Sequence, residues 1–264
     1  MPDIARSADG TRIAYDQVGT GPALIFVGGA FSTRGSGAAL AALCAPHFRV
    51  ITFDRRGRGD SGDTPPYAPQ REVEDLAALI GAAGGSAYMY GHSSGAVLAL
   101  QAALHGLAVA KLAVYEPPFI VDHSRAIPSS EFEDKFNRLL GAGQRGEAAA
   151  VFLTEAVEVP AAAVAQMRQA PMWAGMEALA HTLPYDMAIT DGLQTGDRTA
   201  IARFAGVRAP TLVMDGGNSP DWMRHSAQAL AETLPHARQR TLAGQTHAVD
   251  PNLLAPVLIE FFQE

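Results

Sequence analysis

The feature that most constrains this chain is Gly91-His92-Ser93-Ser94-Gly95, set between two segments of different character. Before it, Ala87 to Tyr90 is a short apolar run that reads as a strand. After it, Ser94 to Leu104 is apolar nearly all round, the mark of a buried helix. A strand passes straight into a helix only if the residue at the joint takes a strained conformation and no Cβ blocks the approach of the two elements, which flanking glycines allow. The spacing Gly-x-Ser-x-Gly therefore lifts the Ser93 hydroxyl into open space at a helix N-terminus, where free N–H groups and the helix dipole favour negative charge. An oxyanion formed by attack of Ser93 would meet the N–H of Ser94 as a donor.

The pattern alone is a weak signal in a chain with 26 glycines among 264 residues. Its context gives it weight: a strand before, an apolar helix after, and a histidine loop far downstream. Further strands read as continuous or alternating apolar runs at Thr11 to Asp16, Ala23 to Val27, Arg49 to Phe53, Lys111 to Tyr115, Thr211 to Asp215 and Ala237 to Leu242. The first two, joined by a turn at Gly19, Gly21 and Pro22, read as a hairpin at a sheet edge. Helical stretches at Gln70 to Ala83, Ser94 to Leu104, and about Trp222 to Leu234 alternate with the strands, which implies an α/β fold whose parallel sheet is covered on both faces.

Between Ile120 and about Gly206 the alternation stops. Helical segments punctuated by Pro128, Pro160, Pro171 and Pro184 replace it. The expected organisation is a core of residues 1–119 and 207–264 with a helical cap, 120–206, inserted over the C-terminal edge of the sheet, where parallel α/β proteins bind ligands. Met172, Trp173 and Met176 of the cap, with Phe31 of the loop after the second strand, are the candidate lining of an apolar substrate pocket.

Composition removes several classes of function. The formal charge is 20 − 27 = −7, which disfavours nucleic acid and anionic membrane as partners, since both need clustered Lys and Arg. Cys44 is the single cysteine, so no intramolecular disulfide forms. The first residues lack a signal peptide's apolar core and no run of roughly 18 apolar residues occurs, so the expected location is cytoplasmic. A dinucleotide fingerprint, Gly57-Arg58-Gly59-Asp60-Ser61-Gly62, follows a strand. Yet Pro65 and Pro66 come where its helix would have to open, so Asp54 and its arginines are expected instead to fix that loop by local salt bridges. No His/Cys/Asp cluster at metal spacing is present, and neither metal nor organic cofactor is expected.

A serine needs a base within hydrogen-bond reach. Of eight histidines, His247 lies in a loop after the last strand, at the same sheet edge as Ser93, and is the expected base. His92 adjoins Ser93 but points away from it and is expected to support the site. Gly28-Gly29 follows the second strand directly, and the Gly29 N–H is the candidate second oxyanion donor beside that of Ser94.

Together, Gly91-His92-Ser93-Ser94-Gly95, the Phe53-Asp54-Arg55-Arg56-Gly57-Arg58-Gly59-Asp60-Ser61 turn, the Gly28-Gly29 loop and Gly244-Gln245-Thr246-His247 resemble the α/β-hydrolase fold superfamily over nearly the whole chain outside the cap. The resemblance implies an eight-stranded, mostly parallel sheet and an acid placed after the serine and before the histidine. Two departures stand out. Val27 replaces the histidine common before the loop glycine, and Ser219 occupies the usual aspartate position. Glu116, which ends the strand after the nucleophile helix, is the favoured replacement acid, since some members of the superfamily take their acid from that strand. Asp215 is the alternative.

The catalytic set is then Ser93, His247 and Glu116, with Gly29 and Ser94 holding the oxyanion. The expected reaction is hydrolysis of a carboxylic ester or lactone of a fairly apolar small molecule. The same residues would also serve C–C bond hydrolysis, perhydrolysis or cyclisation, and the missing usual acid leaves open a binding protein without turnover. Oligomeric state is not legible in the sequence.

Overall fold

The computed structural model describes residues 1–264. Its eight strands are β1 (Asp3–Arg6), β2 (Arg12–Val18), β3 (Ala23–Val27), β4 (Arg49–Phe53), β5 (Ala87–His92), β6 (Val109–Tyr115), β7 (Thr211–Gly216) and β8 (Ala237–Leu242). They form one sheet in the order β1-β2-β4-β3-β5-β6-β7-β8. β2 is antiparallel to both β1 and β4, and every neighbour from β4 to β8 is parallel. The helices in chain order are α1 (Ala38–Cys44), α2 (Pro69–Ala82), α3 (Ser94–Leu104), α4 (Ser130–Gly141), α5 (Arg145–Val151), α6 (Ala161–Met167), α7 (Trp173–Leu179), α8 (Leu183–Thr190), α9 (Asp221–Thr233) and α10 (Pro251–Gln263). The fold is thus the mostly parallel eight-stranded α/β sheet that the sequence implied.

Side chains that alternate along a strand face opposite sides of the sheet, and both sides are covered. Ile25 and Val27 join one core with Val73 and Leu76 of α2 and with Val97, Leu98 and Leu100 of α3. Leu24 and Phe26 join the other with Leu40 of α1 and Leu254, Leu258 and Phe261 of α10. All five residues of β3 are buried. Such a strand belongs in the sheet interior, with a partner at each edge.

That burial corrects the expected hairpin. β2 and β3 do not pair: β4 lies between them, meeting β2 at Val18↔Val50 and β3 at Leu24↔Val50. The turn at Gly19 to Pro22 carries the chain past the position that β4 fills after α1. β1 was not legible, because in its four residues only Ala5 is buried and no alternation can develop.

The chain divides into two compact units, one of Met1–Arg125 with Tyr185–Glu264 and one of Ala126–Pro184. The smaller unit is shorter than the insertion expected over 120–206. Both flanks belong to the larger unit for a plain reason: Ile120, Ile189, Leu193, Ile201 and Phe204 are buried, and the last four join its main core. Within the smaller unit, Ser129 caps α4 by accepting from the Phe132 N–H at 3.2 Å. The Phe136 ring lies 5.9 Å from Phe132 and 6.2 Å from Phe152. Pro160 precedes α6, whereas Pro184 sits inside the first turn of α8 rather than at a break. No helix of the chain is long and apolar enough to cross a membrane.

The close approach that places Ser93 occurs where α3 starts. A Cβ on Gly95 would collide with the carbonyl oxygens of Val27 and Gly28, the latter at 2.6 Å, and backbone cannot swing aside as a side chain can. Gly95→Ala is expected to cost about 3 kcal/mol or more in urea unfolding. Gly81→Ala, in α2 with nothing within 4 Å of the added carbon, should instead stabilise by about 0.5–1 kcal/mol.

Candidate active site

Ser93 joins β5 to α3 with φ 57° and ψ −128°, a region that non-glycine residues avoid. Its backbone is held on both sides: the Ser93 N–H donates to the Tyr115 carbonyl at 3.0 Å, and its carbonyl accepts from the Ala96 N–H at 2.9 Å. Three of the four non-glycine residues with positive φ in the chain are Phe31, Ser93 and Glu116, all candidates from the sequence. Backbone strain of this kind costs on the order of 1–3 kcal/mol per residue and persists where the surroundings over-determine it.

Glu116 follows β6 directly, and its N–H still donates to β7, to the Met214 carbonyl at 3.0 Å. Its buried carboxylate accepts from His247 Nδ1 at 2.7 Å through Oε2 and from the Gly216 N–H at 2.8 Å through Oε1. Burial alone would raise its pKa. The hydrogen bond from His247, the adjacent Ser219 hydroxyl and the Gly216 amide outweigh it and hold the carboxyl below the usual glutamate value. A carboxylate only accepts, so His247 Nδ1 is the donor in this contact.

Asp215, the alternative acid, faces elsewhere. It accepts from Gln239 Nε2 at 3.2 Å and from Thr241 Oγ1 at 3.1 Å, both on β8. Burial raises its pKa, against those two donors. Of the two carboxylates, the structure brings Glu116 to the histidine.

The His247 loop is tied down by its backbone. The Thr246 carbonyl accepts from Tyr115 Oη at 2.8 Å, the Gln245 carbonyl from the Asn218 N–H at 2.8 Å, and the His247 carbonyl from His92 Nε2 at 3.0 Å. The imidazoles of His92 and His247 stack with centroids 4.6 Å apart. Burial first, then the neighbouring His247, lowers the His92 pKa to about 4. His92 is therefore neutral at neutral pH and adds no like charge beside His247.

Gly29 lies against Ser93. A Cβ there would stand 2.9 Å from Ser93 Cβ and 3.4 Å from Ser93 Oγ, so only glycine brings this loop so close to the serine. Phe31 is half-buried in the same loop. Met172, Trp173 and Met176 belong to the smaller unit. There Met172 is exposed, Trp173 and Met176 are buried, and the Arg168 guanidinium lies 5.6 Å from the Trp173 ring centre.

The arginine-rich turn is built differently from the local salt bridges expected. Asp54 pairs with Arg34, whose backbone N–H also donates to it at 2.8 Å. Arg55 makes a two-pronged contact with Glu72 at 2.6 and 2.7 Å and reaches Asp186 Oδ1 at 2.6 Å, while Arg58 reaches Asp186 Oδ2 at 2.6 Å. Arg56 grips Asp75 at 2.8 and 2.7 Å. Apart from the half-buried Arg34, all of these side chains are buried. The partners of the three arginines lie on α2, on α8 and in the β1–β2 turn, because guanidinium groups with no access to water need carboxylates, and the turn itself holds too few. Asp186 went unnoticed in the sequence. The available signal was a lone carboxylate in the apolar run Leu183 to Ile189 of a chain that must neutralise three neighbouring arginines.

No group of three or more His, Cys, Asp or Glu side chains is placed to hold a metal ion. What the arrangement offers chemically is a strained serine at a helix N-terminus, a histidine bonded through Nδ1, and a buried carboxylate behind it.

The chain belongs to the alpha/beta hydrolase family, whose model matches residues 24–257. It is similar to a solved alpha/beta hydrolase from Sphaerobacter thermophilus, with 56% identity over 98% of this chain and 100% of that one and a TM-score of 0.93. It is also 30% identical over 244 residues, 88% of this chain and 90% of the relative, to the pimeloyl-[acyl-carrier protein] methyl ester esterase of Xanthomonas campestris pv. campestris. An N-formylmaleamate deformylase of Pseudomonas putida is 34% identical over 128 residues, 47% of this chain and 48% of that protein.

The depressed pKa of Glu116 has a consequence for stability. A carboxyl whose folded pKa lies below its unfolded value contributes stability that is present above the unfolded value, about 4.3 for glutamate, and is lost as pH falls through the folded value. The difference in thermal midpoint between wild type and Glu116→Gln should therefore be largest near neutral pH and shrink below about pH 4. A difference that grows on acidification would contradict the assignment. Asp215→Asn should show the opposite trend, since the raised pKa of Asp215 makes its ionisation unfavourable as pH rises.

Proposed function

We propose that this member of the alpha/beta hydrolase family is a serine hydrolase that cleaves a carboxylic ester or lactone of a fairly apolar small molecule through an acyl-enzyme on Ser93. The observation that carries the reading is the buried Glu116 carboxylate bonded at 2.7 Å to His247 Nδ1, with His247 stacked on the residue next to the strained serine. In this reading the lone pair of His247 Nε2 takes the Ser93 proton as Oγ attacks the substrate carbonyl. The N–H groups of Gly29 and Ser94 receive the oxyanion. The imidazolium that forms is stabilised by Glu116 and then gives its proton to the leaving alcohol. Water attacks the acyl-enzyme next, with the same nitrogen as base, and Ser93 is regenerated.

The ester part of the reading has support from the relative named for a methyl ester. The apolar substrate rests on the composition of the helical stretch, with Phe31, Met172, Trp173 and Met176 as its candidate contacts. The relative named as a deformylase adds N-formyl amides to the panel of substrates worth assaying, beside simple esters and lactones. C–C hydrolysis, perhydrolysis and cyclisation would use the same residues and differ only in their products. A binding protein without turnover was suggested by Ser219 at the usual acid position. Glu116 in contact with His247 weakens that suggestion.

With 4-nitrophenyl esters, Ser93→Ala should lower kcat by about 10⁴-fold or more, and the variant should no longer react with a fluorophosphonate probe. Retained turnover would end the proposal. In the same assay Glu116→Gln should lose about 10³–10⁴-fold in kcat by analogy with removal of a triad acid's charge, whereas Asp215→Asn stays within a few-fold of wild type. The reverse ranking would move the acid to Asp215.

A further inference from the structure

One buried carboxylate is bonded to Ser94 directly and to the Gly28-Gly29 loop through two arginines. Asp186 Oδ1 accepts from Ser94 Oγ and from Arg55 Nη1, each at 2.6 Å, and Asp186 Oδ2 accepts from Arg58 Nη2 at 2.6 Å. The two guanidinium groups then reach the Gly28-Gly29 loop. Arg58 Nη1 donates to the Gly29 carbonyl at 2.6 Å, and Arg55 Nη1 points at the Gly28 carbonyl at 3.4 Å.

Peptide geometry turns those contacts into an orientation. The Gly28 carbonyl and the Gly29 N–H belong to one planar trans unit and point to opposite sides of it. Arginine held on the carbonyl side therefore leaves the Gly29 N–H turned the other way. The Gly29 carbonyl fixes the following peptide in the same manner, so the loop is pinned on both sides of its donor. On the other half, the bond from the Ser94 hydroxyl to Asp186 locks the first residue of α3, the residue whose N–H is the second donor.

We propose that Asp186 is the positioning residue of the oxyanion hole, setting the donors of Gly29 and Ser94 in one geometry through a single carboxylate. This rests on the serine-hydrolase reading of Ser93. Glu72 completes the charge balance: Arg55 and Arg58 face Glu72 and Asp186, two cations and two anions, with Tyr67 Oη donating to Glu72 at 2.9 Å. Burial would raise the pKa of Asp186, but Arg55, Arg58 and the Ser94 hydroxyl hold it below the usual aspartate value, so it stays ionised. Asp186 touches no reacting atom in this account. It acts by preventing the donors from relaxing, which matters because preorganised donors stabilise a transition state without reorganisation at the moment of reaction.

The test is Asp186→Asn and Ser94→Ala, each assayed with a 4-nitrophenyl ester and with an alkyl trifluoromethyl ketone. The ketone's carbonyl takes up Ser93 Oγ, the serine proton passes to His247, and the resulting oxyanion sits in the hole. Asp186→Asn is expected to lower kcat at least 10-fold with KM within two-fold, and to weaken the ketone by a similar factor. Ser94→Ala keeps the N–H and removes only the bond to Asp186, and a 3–10-fold loss of the same kind is expected. Unchanged kcat in folded Asp186→Asn, or a loss of kcat with the ketone affinity intact, overturns the proposal. Should Asp186→Asn fail to fold, Ser94→Ala decides, and wild-type kcat and ketone affinity in that variant overturn it. If wild type neither turns over esters nor binds the ketone, the hydrolase reading itself falls and this inference with it. An inactive Ser93→Ala beside unaffected Asp186→Asn and Ser94→Ala sinks this inference alone.

Discussion

The contact on which everything else leans is that of the first turn of α3 with the end of β3. At Gly95 the helix comes so near the Val27 and Gly28 carbonyls that a single added carbon would collide with them. That closeness forces the strand-to-helix reversal to occur in one residue, and the residue that absorbs it is Ser93, at φ 57°. It also presses the Gly28-Gly29 loop against the serine. One steric condition thus produces a half-buried serine at the joint, a helix N-terminus behind it and a glycine loop beside it.

The histidine arrives by a different route. β6 and β7 are parallel neighbours, and the pairing continues one residue past β6, through the Glu116 N–H, before the chain turns at positive φ. The carboxylate is thereby delivered to the end of β7, where the Gly216 N–H and His247 both reach it. Position 219 is a serine, and the glutamate from the adjacent strand end is the carboxylate that meets the histidine.

Beneath both halves runs a layer of buried charge. Arg55, Arg56 and Arg58 come from one turn and find their carboxylates on α2, on α8 and in the β1–β2 turn. Breaking such a pair leaves an uncompensated charge away from water, at a cost of about 3–5 kcal/mol. These pairs therefore specify where the turn can sit more than they add stability. Arg34, which bridges Asp54, Asp16 and Asp60 nearer the surface, contributes less, since water screens it.

The parallel sheet, the glycine-flanked turn at Ser93, the loop that carries His247 and the strand end that carries Glu116 could be read from local pattern and from resemblance, because each depends on a few residues adjacent in the chain. The partner of β2 could not. Whether β2 meets β3 or β4 depends on how a fully apolar strand is buried from both edges, a property of the assembled sheet. The ends of the helical insertion were equally hidden, since Ile189, Leu193, Ile201 and Phe204 look alike whether they face a cap or the main core. Asp186 is the sharpest case. In the sequence it is one carboxylate in an apolar helix, 92 residues from Ser94 and 128 from Arg58. Only folding brings it to them, because charge neutrality inside a dry interior is satisfied by distance in space and not along the chain.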